Sequence, residues 1–277
     1  MSSKAITDEE QKQLILDMLD LIDKRCREKG YTYWLFWGTL LGVIRHKGMI
    51  PWDDDIDIAM PREDYERFIE DINTNPLAAN IHFVDNAHPV KAFYPSAFGK
   101  VCRSDTVIKY PSYGEKYEME VSIDVFPMDG VSEIESERLE LSDRLDKLSD
   151  NINRCVYMPA KDGRSVFRYG LALLRRNCRL AFLYEKWIRE KTKLIEGYKR
   201  FASSKYCGFP SNINIRGRRL VFERQWFETI YMEFEGKMMP VPAGYDDILE
   251  IVFPNYMELP PVEERVSHHD YTSVEWR

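Results

Sequence analysis

The 277-residue chain has little of several features that would assign it to a well-known class. No run approaches the roughly 18 consecutive apolar residues of a membrane-spanning helix, and the first residues lack the apolar core of a secretory signal. The five cysteines include no C-x-x-C pair, so neither a disulfide framework nor a structural zinc site is expected. We therefore expect reduced thiols in a cytoplasmic protein, either soluble or peripheral at the inner face of a membrane.

The chain also lacks the positive charge of an indiscriminate nucleic-acid binder. It has 39 Lys and Arg against 46 Asp and Glu, a net charge of −7, and no nucleic-acid partner is predicted. The balance is uneven, because residues 161–200 hold 12 basic and 4 acidic side chains, a local net charge of +8, which leaves −15 elsewhere. With 44% hydrophobic and 31% charged residues, the composition is that of a globular protein.

Capping residues and hydrophobic periodicity predict the first elements. Thr7 and Glu10 form a capping box ahead of an amphipathic helix that ends near Gly30. An aromatic-rich strand is predicted over Tyr31–Trp37, and Thr39 is the expected cap of a short helix behind it.

The rest of the chain is predicted to contain both strands and helices, with one long, mainly helical stretch in the middle. The predicted strands are Asp55–Met60, Ile81–Val84, Ala97–Cys102, Thr106–Tyr110 and Glu120–Phe126. Pro61 should open a helix, residues 133–200 should be mainly helical with a break near 158–163, and helices are predicted over Phe222–Phe234 and Tyr245–Val252. We predict one catalytic domain over 1–277, with a core at 1–130, a helical insertion at 131–202 and a C-terminal part at 203–277.

The segment Trp52–Ile58 (W-D-D-D-I-D-I) is the strongest chemical signal. Side chains alternate along a strand, so Asp55 and Asp57 share one face while Ile56 and Ile58 point into the core. Neighbouring carboxylates repel each other unless protons or a cation neutralise them, and all-oxygen ligation favours Mg²⁺ or Mn²⁺. A solvated acidic turn is the alternative, but the alternation with β-branched residues favours a site.

Asp124 is a candidate partner for these carboxylates. It lies in the apolar strand V-S-I-D-V-F, where an unpaired charge would be costly. It could belong to the same site, cap a neighbouring turn or pair with an arginine. Three strand-borne carboxylates can hold one or two divalent ions, and two such ions suit phosphoryl transfer.

The residues between the aromatic strand and the acidic segment supply candidate phosphate ligands. Gly38 and Thr39 would expose backbone N–H groups at a helix N-terminus, where phosphate binds well, although an ordinary turn is the alternative. Arg45, His46 and Lys47 follow, and they either neutralise phosphate charge or form a solvated basic loop.

A long motif from Gly38 to Met60 resembles the LicD family of the nucleotidyltransferase-fold superfamily, which includes fukutin and fukutin-related protein. The similarity covers both ends of the chain and skips the helical middle. Its further motifs are Pro61–Glu66, Ile123–Asp129, Phe234–Gly236, Val241–Pro242, Tyr245–Asp246, Tyr256–Met257, Pro260–Pro261, Glu264–Arg265 and His268.

That resemblance implies an α/β (α+β) fold, a nucleotidyltransferase-like mixed sheet flanked by helices with a helical insertion. It implies that Asp55, Asp57 and Asp124 are catalytic and hold one or two Mg²⁺ or Mn²⁺ ions. It also implies transfer of phosphocholine or ribitol phosphate from a CDP-activated alcohol to a sugar hydroxyl of a cell-surface or lipid-linked glycan, with release of CMP. The residues expected to bind substrate are Gly38, Thr39, Arg45, His46, Lys47, Arg265 and His268. For Arg265 and His268, the alternative is a polar C-terminal tail that does not contact substrate.

Two other functions remain open at this point. The same metal site would serve a nucleotidyltransferase that leaves the nucleotide on its acceptor. A non-catalytic nucleotide- or metal-binding module is a further alternative, although intact carboxylates at all three positions speak against it.

The basic segment has two interpretations. Its arginines and apolar residues are Arg168, Arg175, Arg176, Arg179, Phe167, Leu171, Leu174, Phe182 and Leu183. The first is a helix that packs its apolar side on the core and exposes a basic face. The second is an amphipathic helix over residues 164–183 that lies on a membrane or on a polyanionic, lipid-linked glycan.

Overall fold

The computed structural model describes residues 4–85, 98–110, 118–156, 166–210, 214–215, 218–267, 269 and 271–277. The α-helices in these ranges are α1 (Asp8–Lys29), α2 (Trp37–His46), α3 (Arg62–Thr74), α4 (Glu135–Val156), α5 (Val166–Phe182), α6 (Tyr184–Glu196) and α7 (Tyr245–Val252). The strands of the first half are β1 (Trp34–Leu35), β2 (Asp57–Pro61), β3 (Ile81–Val84), β4 (Gly99–Arg103), β5 (Thr106–Lys109), β6 (Glu118–Met119) and β7 (Ser122–Gly130). Those of the second half are β8 (Tyr206–Gly208), β9 (Asn214–Ile215), β10 (Arg218–Arg219), β11 (Val221–Glu223), β12 (Thr229–Phe234), β13 (Lys237–Pro242) and β14 (Ser273–Trp276).

A mixed sheet forms the centre of the fold. Its strands run in the order β1-β2-β7-β4-β3, and β8 and β11 extend it from the far end of β7. The β2–β7 pair is parallel, whereas β1–β2, β7–β4 and β4–β3 are antiparallel. Helices α1, α2 and α3 pack against β2 and β7. This arrangement confirms the predicted α/β class.

The first helix follows its sequence signals closely. The Thr7 hydroxyl accepts the Glu10 N–H, the Glu10 carboxylate accepts the Thr7 N–H, and Gly30 ends the helix in a left-handed conformation. The buried side chains recur at helical spacing and include Leu14, Ile15, Met18, Leu19 and Ile22.

The chain after this helix turns earlier than predicted. Only Trp34–Leu35 pairs as a strand, and α2 begins at Trp37, where the backbone takes a positive φ of 48°. The prediction that Thr39 caps the helix is wrong, because Phe36 is the capping residue and no side chain caps it. The Phe36 N–H still donates to the Asp57 carbonyl, so the hydrogen bonding to β2 reaches Phe36, and the positive φ of Trp37 then turns the chain into the helix.

The next helix begins at Arg62, one residue later than predicted. Pro61 ends β2 and is the residue that precedes the first turn. The Arg62 guanidinium forms two hydrogen bonds to Asp129 at the end of β7, so α3 is anchored to the central strand. Burial raises the pKa of Asp129 even though Arg62 opposes the shift.

The predicted helix over Phe222–Phe234 is wrong. This segment contains the end of β11, a single turn at Arg224–Phe227 and β12, which pairs with β13 along its whole length. Glu235 and Gly236 form the hairpin turn with positive φ values of 49° and 74°. Glycine suits that conformation, so the turn chemistry favours a hairpin over a helix. The helix predicted over Tyr245–Val252 is confirmed as α7.

Three helices, α4, α5 and α6, pack on one another in the region predicted as an insertion. Its predicted break near 158–163 lies outside the described residues, as does Ala97 of a predicted strand. The division of the chain into three parts remains a prediction.

Two other expectations concern thiols and membranes. All five cysteines are free, and four are buried while Cys178 is exposed on α5. Within the described ranges, no helix combines the length and the apolar character needed to cross a bilayer.

Candidate active site

The two predicted carboxylate strands lie side by side. Asp57 is the first residue of β2, and its Cα partner on the parallel strand β7 is Asp124. Ile56 and Ile58 are fully buried, which confirms that they point into the core. Asp55 stands just before the strand, so Asp55 and Asp57 face away from that core.

Backbone hydrogen bonds fix the start of both strands. The Asp57 N–H donates to the Thr39 Oγ1 at 2.8 Å, and the Asp124 N–H donates to the Ile56 carbonyl at 3.0 Å. Thr39 is buried, with 4% of its surface exposed. In this structure the Thr39 side chain therefore positions Asp57.

The aspartates before β2 form a compact oxygen cluster. One carboxylate oxygen from each of Asp53, Asp54 and Asp55 lies within 4.8 Å of the other two. Asp53 also reaches the first turn of α2, since a Cβ built on Gly38 would lie only 2.9 Å from its Oδ2. A side chain at position 38 would therefore displace the Asp53 carboxyl, which lies at the N-terminal end of the helix, where a negative charge is favoured.

Burial and mutual repulsion make Asp53, Asp55 and Asp57 reluctant to ionise, whereas hydrogen bonds from His269 and Ser267 lower the pKa of Asp54. Burial raises the pKa of Asp57 well above its usual range, and the charges of Asp55, Asp124 and Asp53 add to the shift. The pKa of Asp55 rises for the same reasons, with Asp124 as its main repelling neighbour. The pKa of Asp53 rises to about 7, through burial and repulsion from Asp55.

Lys100 is a member of the site that the sequence reasoning missed. It is the Cα partner of Asp124 across β4 and β7, and its ammonium forms an ion pair with the Asp124 carboxylate. Burial alone would lower the Lys100 pKa, but the charge of Asp124 and its hydrogen bond have the larger effect, so the Lys100 pKa is raised. The only local signal is a lysine among the apolar residues of a strand, and its partner is known only from the register.

The C-terminal tail folds back onto the acidic segment. The Ser267 hydroxyl donates to Asp54 Oδ2 at 2.9 Å, and His269 Nδ1 lies 2.7 Å from Asp54 Oδ1. The hydrogen bond to Asp54 raises the pKa of His269 to about 8, although burial alone would lower it. The charge of Asp55, whose Oδ2 lies 3.6 Å from His269 Nε2, adds to the rise. Predicted His268 lies outside the described residues, and His269 was missed.

Two predicted basic residues meet at one tryptophan. The guanidinium carbons of Arg45 and Arg265 lie 5.9 and 5.6 Å from the centre of the Trp52 ring. Burial and the charge of Arg265 lower the pKa of Arg45. Arg45 also donates to the His46 ring, and burial and Arg45 lower the pKa of His46. Two guanidinium groups held beside one indole form a strong local positive field.

Lys47 does not join this group. It ends α2 in a left-handed conformation, and its exposed ammonium pairs with Glu233 on β12 at 3.5 Å. The Glu235 carboxylate in the adjoining hairpin turn accepts the Met49 N–H at 3.0 Å. The hairpin thereby supports the loop that leads to the aspartates.

An aromatic patch adjoins the Lys100–Asp124 pair. The Phe98 and Phe126 rings stack with centroids 4.3 Å apart, and the Lys100 ammonium lies 5.5 Å from the centre of the Phe98 ring. Trp37 contacts the edge of Phe126, and its indole N–H is buried without a hydrogen-bond partner among the described residues. The faces of such rings attract organic cations.

The donor set fits a divalent cation. Several carboxylates share a desolvated space in which their ionised forms repel, and a hard cation with oxygen ligands would relieve that repulsion. In this structure the carboxylate oxygens that lie within 4.8 Å of one another belong to Asp53, Asp54 and Asp55, whereas the residues predicted to hold Mg²⁺ or Mn²⁺ are Asp55, Asp57 and Asp124. Their role as ligands remains a prediction.

Comparison with known proteins gives two kinds of match. Residues 30–146 match the family model described as "LicD/FKTN/FKRP, nucleotidyltransferase domain". The chain is 29% identical over 269 residues to the lipopolysaccharide cholinephosphotransferase LicD of Haemophilus influenzae, covering 96% of this chain and 97% of that protein. Uncharacterized proteins of Rickettsia typhi and Rickettsia prowazekii are 45% and 46% identical over 56 and 52 residues, which covers 20% and 19% of this chain and 17% and 18% of theirs.

Proposed function

We propose, from the premise that the chain belongs to the LicD family, that this transferase moves phosphocholine from CDP-choline to a sugar hydroxyl of lipopolysaccharide. The Haemophilus relative supports both the transferred group and the acceptor, because it is a lipopolysaccharide cholinephosphotransferase matched over nearly its full length. The observation that carries the proposal is the register of Asp57 against Asp124, since it joins two carboxylates of separate motifs.

The reaction is an in-line substitution at the phosphorus atom of phosphocholine. A new bond forms between the acceptor oxygen and that phosphorus, the bond to the CMP oxygen breaks, and CMP leaves with the electron pair. The acceptor hydroxyl gives its proton to a base; Asp124 either takes this proton or helps to hold a metal near the nucleophile. Bound Mg²⁺ or Mn²⁺ at Asp55, Asp57 and Asp124 would supply charge neutralisation at the diphosphate.

The arginine pair has a role that follows from its charge. Arg45 and Arg265 lie beside the ring of Trp52, the residue that precedes the aspartates in the sequence, and would bind the donor diphosphate. His46, bonded to Arg45, would hold that guanidinium in place. Asp53 occupies the first turn of α2 near Gly38, so we assign Gly38 and Thr39 to shaping the carboxylate cluster, with phosphate contact by their backbone a further proposal.

The aromatic patch supports choline as the transferred head group. Phe98 lies against the Lys100 ammonium and stacks on Phe126, whose ring contacts Trp37, and a quaternary ammonium binds well against aromatic faces. Ribitol and glycerol carry no charge and would gain less from these rings. The five free cysteines agree with a reducing compartment such as the cytoplasm, where nucleotide-activated donors are made.

A donor panel tests this function. The purified chain is incubated with Mg²⁺, lipopolysaccharide lacking phosphocholine, and CDP-choline, CDP-ribitol or CDP-glycerol, while CMP release and product mass are measured. We expect CMP from CDP-choline and a phosphocholine-sized mass increase on the glycan. Asp57→Asn should abolish both, whereas Asp17→Asn on the exposed face of α1 should leave both unchanged.

Two results would contradict the proposal. CMP release from CDP-ribitol in preference to CDP-choline would assign a different head group. A product that carries the nucleotide, with pyrophosphate released from CTP, would assign a nucleotidyltransferase instead.

A further inference from the structure

The helix α5 turns an apolar face toward solvent. Phe167 and Phe182 are each 79% exposed and Leu174 is 59% exposed, although such side chains are normally buried. Leu171 and Cys178 complete the row at spacings of three and four residues, so the five side chains form one stripe along the helix. We call these residues, Phe167, Leu171, Leu174, Cys178 and Phe182, the α5 stripe.

The opposite side of α5 is the one that packs on the protein. Arg176 is 8% exposed, and Leu173 and Leu180 are partly buried on the same side as Arg176. The first interpretation of this segment, in which the apolar side packs on the core, is therefore wrong for α5. The helices α4 and α6 cover that other face of α5, and the α5 stripe remains exposed to solvent.

Arginines line one edge of the stripe. Arg168, Arg175 and Arg179 lie roughly 80–120° round the helix from Phe167, at about 100° per residue. They belong to the segment 161–200, whose local net charge is +8 in a chain of −7. An apolar stripe bordered by arginines is the pattern of a helix that lies in the headgroup layer of a membrane.

We propose that α5 docks the protein on an anionic lipid bilayer, with the α5 stripe against the acyl chains and its arginine edge among the headgroups. Charge favours this occupant over a second copy of the chain, because a second α5 would add more positive charge and no negative charge beside the arginine edge. A bilayer supplies both the apolar layer and the negative charge. The proposal depends on the exposure and charge of α5 and not on the identity of donor or acceptor.

A native residue offers a direct probe of this docking. Cys178 lies within the stripe and is exposed, whereas the other four cysteines are buried. Labelled there with a polarity-sensitive dye, the full chain should show a blue shift and stronger emission when vesicles containing one quarter phosphatidylglycerol are added. Vesicles of phosphatidylcholine alone should give a much smaller change.

Unlabelled variants separate the apolar and the electrostatic parts. Phe167→Ser/Phe182→Ser should reduce the fraction that co-sediments with anionic vesicles at least fivefold. Arg175→Gln/Arg179→Gln should reduce it to the level seen with neutral vesicles. Ile134→Ser/Met238→Ser removes two exposed apolar side chains outside the stripe and should change nothing. Far-UV circular dichroism verifies that each variant is folded.

The proposal is overturned if the folded wild-type chain binds anionic vesicles no better than neutral ones. It is also overturned if the control pair lowers binding as much as the stripe pair does. Vesicle-independent dimers that disappear in Phe167→Ser/Phe182→Ser would identify the stripe as a contact between copies. None of these measurements uses transferase activity, so the proposed function can fail without affecting them.

Discussion

Asp57 on β2 stands opposite Asp124 on β7, as the first registered pair of the parallel strands at the centre of the sheet. Burial and the charges around it raise the pKa of Asp57 well above its usual range. An arrangement of this kind costs stability when it is ionised and has no cation, and such costs concentrate at functional sites.

Replacing Asp57 with asparagine should separate activity from stability. Asp57→Asn keeps the size of the side chain but removes a carboxyl that must either ionise beside repelling neighbours or take up a proton on folding, so turnover is expected to disappear while the metal-free protein becomes more stable. For a chain of this size, each kcal/mol gained raises Tm by roughly 2–4 °C. Calorimetry in EDTA measures the change against Asp17→Asn, and a lower Tm for Asp57→Asn would refute the repulsion argument.

Removing the Lys100 charge should make the site depend more on metal. The Lys100 ammonium is the cation on Asp124 in this structure, so Lys100→Gln is expected to lower Tm in EDTA and to bind Mn²⁺ more tightly. Titration calorimetry with Mn²⁺ provides the test. The surface variant Lys109→Gln, which loses only an exposed pair with Glu275, serves as control. Weaker Mn²⁺ binding by Lys100→Gln would show that the lysine assists the metal.

The elements that sequence predicts well are those whose signals are local. Thr7, Glu10 and Gly30 specify the bounds of α1 within its own length, and α7 follows from its apolar spacing. The prediction for Phe222–Phe234 is wrong because its aromatic residues recur at a spacing that also suits a helix, whereas its structure depends on pairing with β13, which lies outside the segment. Helix propensity in such a segment is overridden by contacts outside it.

The residues of the site also differ in whether a local sequence signal identifies them. Asp55, Asp57 and Asp124 stand out because charged residues alternate with buried apolar ones, and the structure brings Asp57 and Asp124 together. Lys100 and His269 carry no such signal. Lys100 and Asp124 are 24 residues apart in the sequence, and their contact depends on the register of the sheet. His269 and Asp54 are 215 residues apart, and their contact depends on the path of the C-terminal tail.

Stability without metal should fall as the pH rises from 5 to 8.5. An unfolded aspartate titrates at about 3.9, whereas Asp53 has a pKa of about 7, so the folded state binds more protons across that window. His269 adds in the same direction, because its raised pKa of about 8 means that its pairing with Asp54 is lost above that pH. Tm in EDTA is measured across the range.

Saturating Mg²⁺ should flatten this profile, since the cation replaces protons in neutralising the carboxylates. The same scan on Asp57→Asn should show a weaker pH dependence than wild type. A metal-free Tm that rises between pH 6 and 8 would mean that other groups dominate the pH dependence.

Removing Arg265 should weaken donor binding through the diphosphate. Its guanidinium and that of Arg45 are held near Trp52, where they repel each other, and an anion between them would relieve that repulsion. Losing one charge-assisted contact costs about 1.5–3 kcal/mol, so the KM for CDP-choline is expected to rise roughly tenfold or more in Arg265→Gln with a smaller change in kcat.

Calorimetry should show weaker binding of CDP-choline and unchanged binding of cytidine, which lacks phosphate. Arg67→Gln, at a solvent-exposed pair on α3, should behave as wild type. An unchanged KM in Arg265→Gln would remove the arginine pair from the donor site.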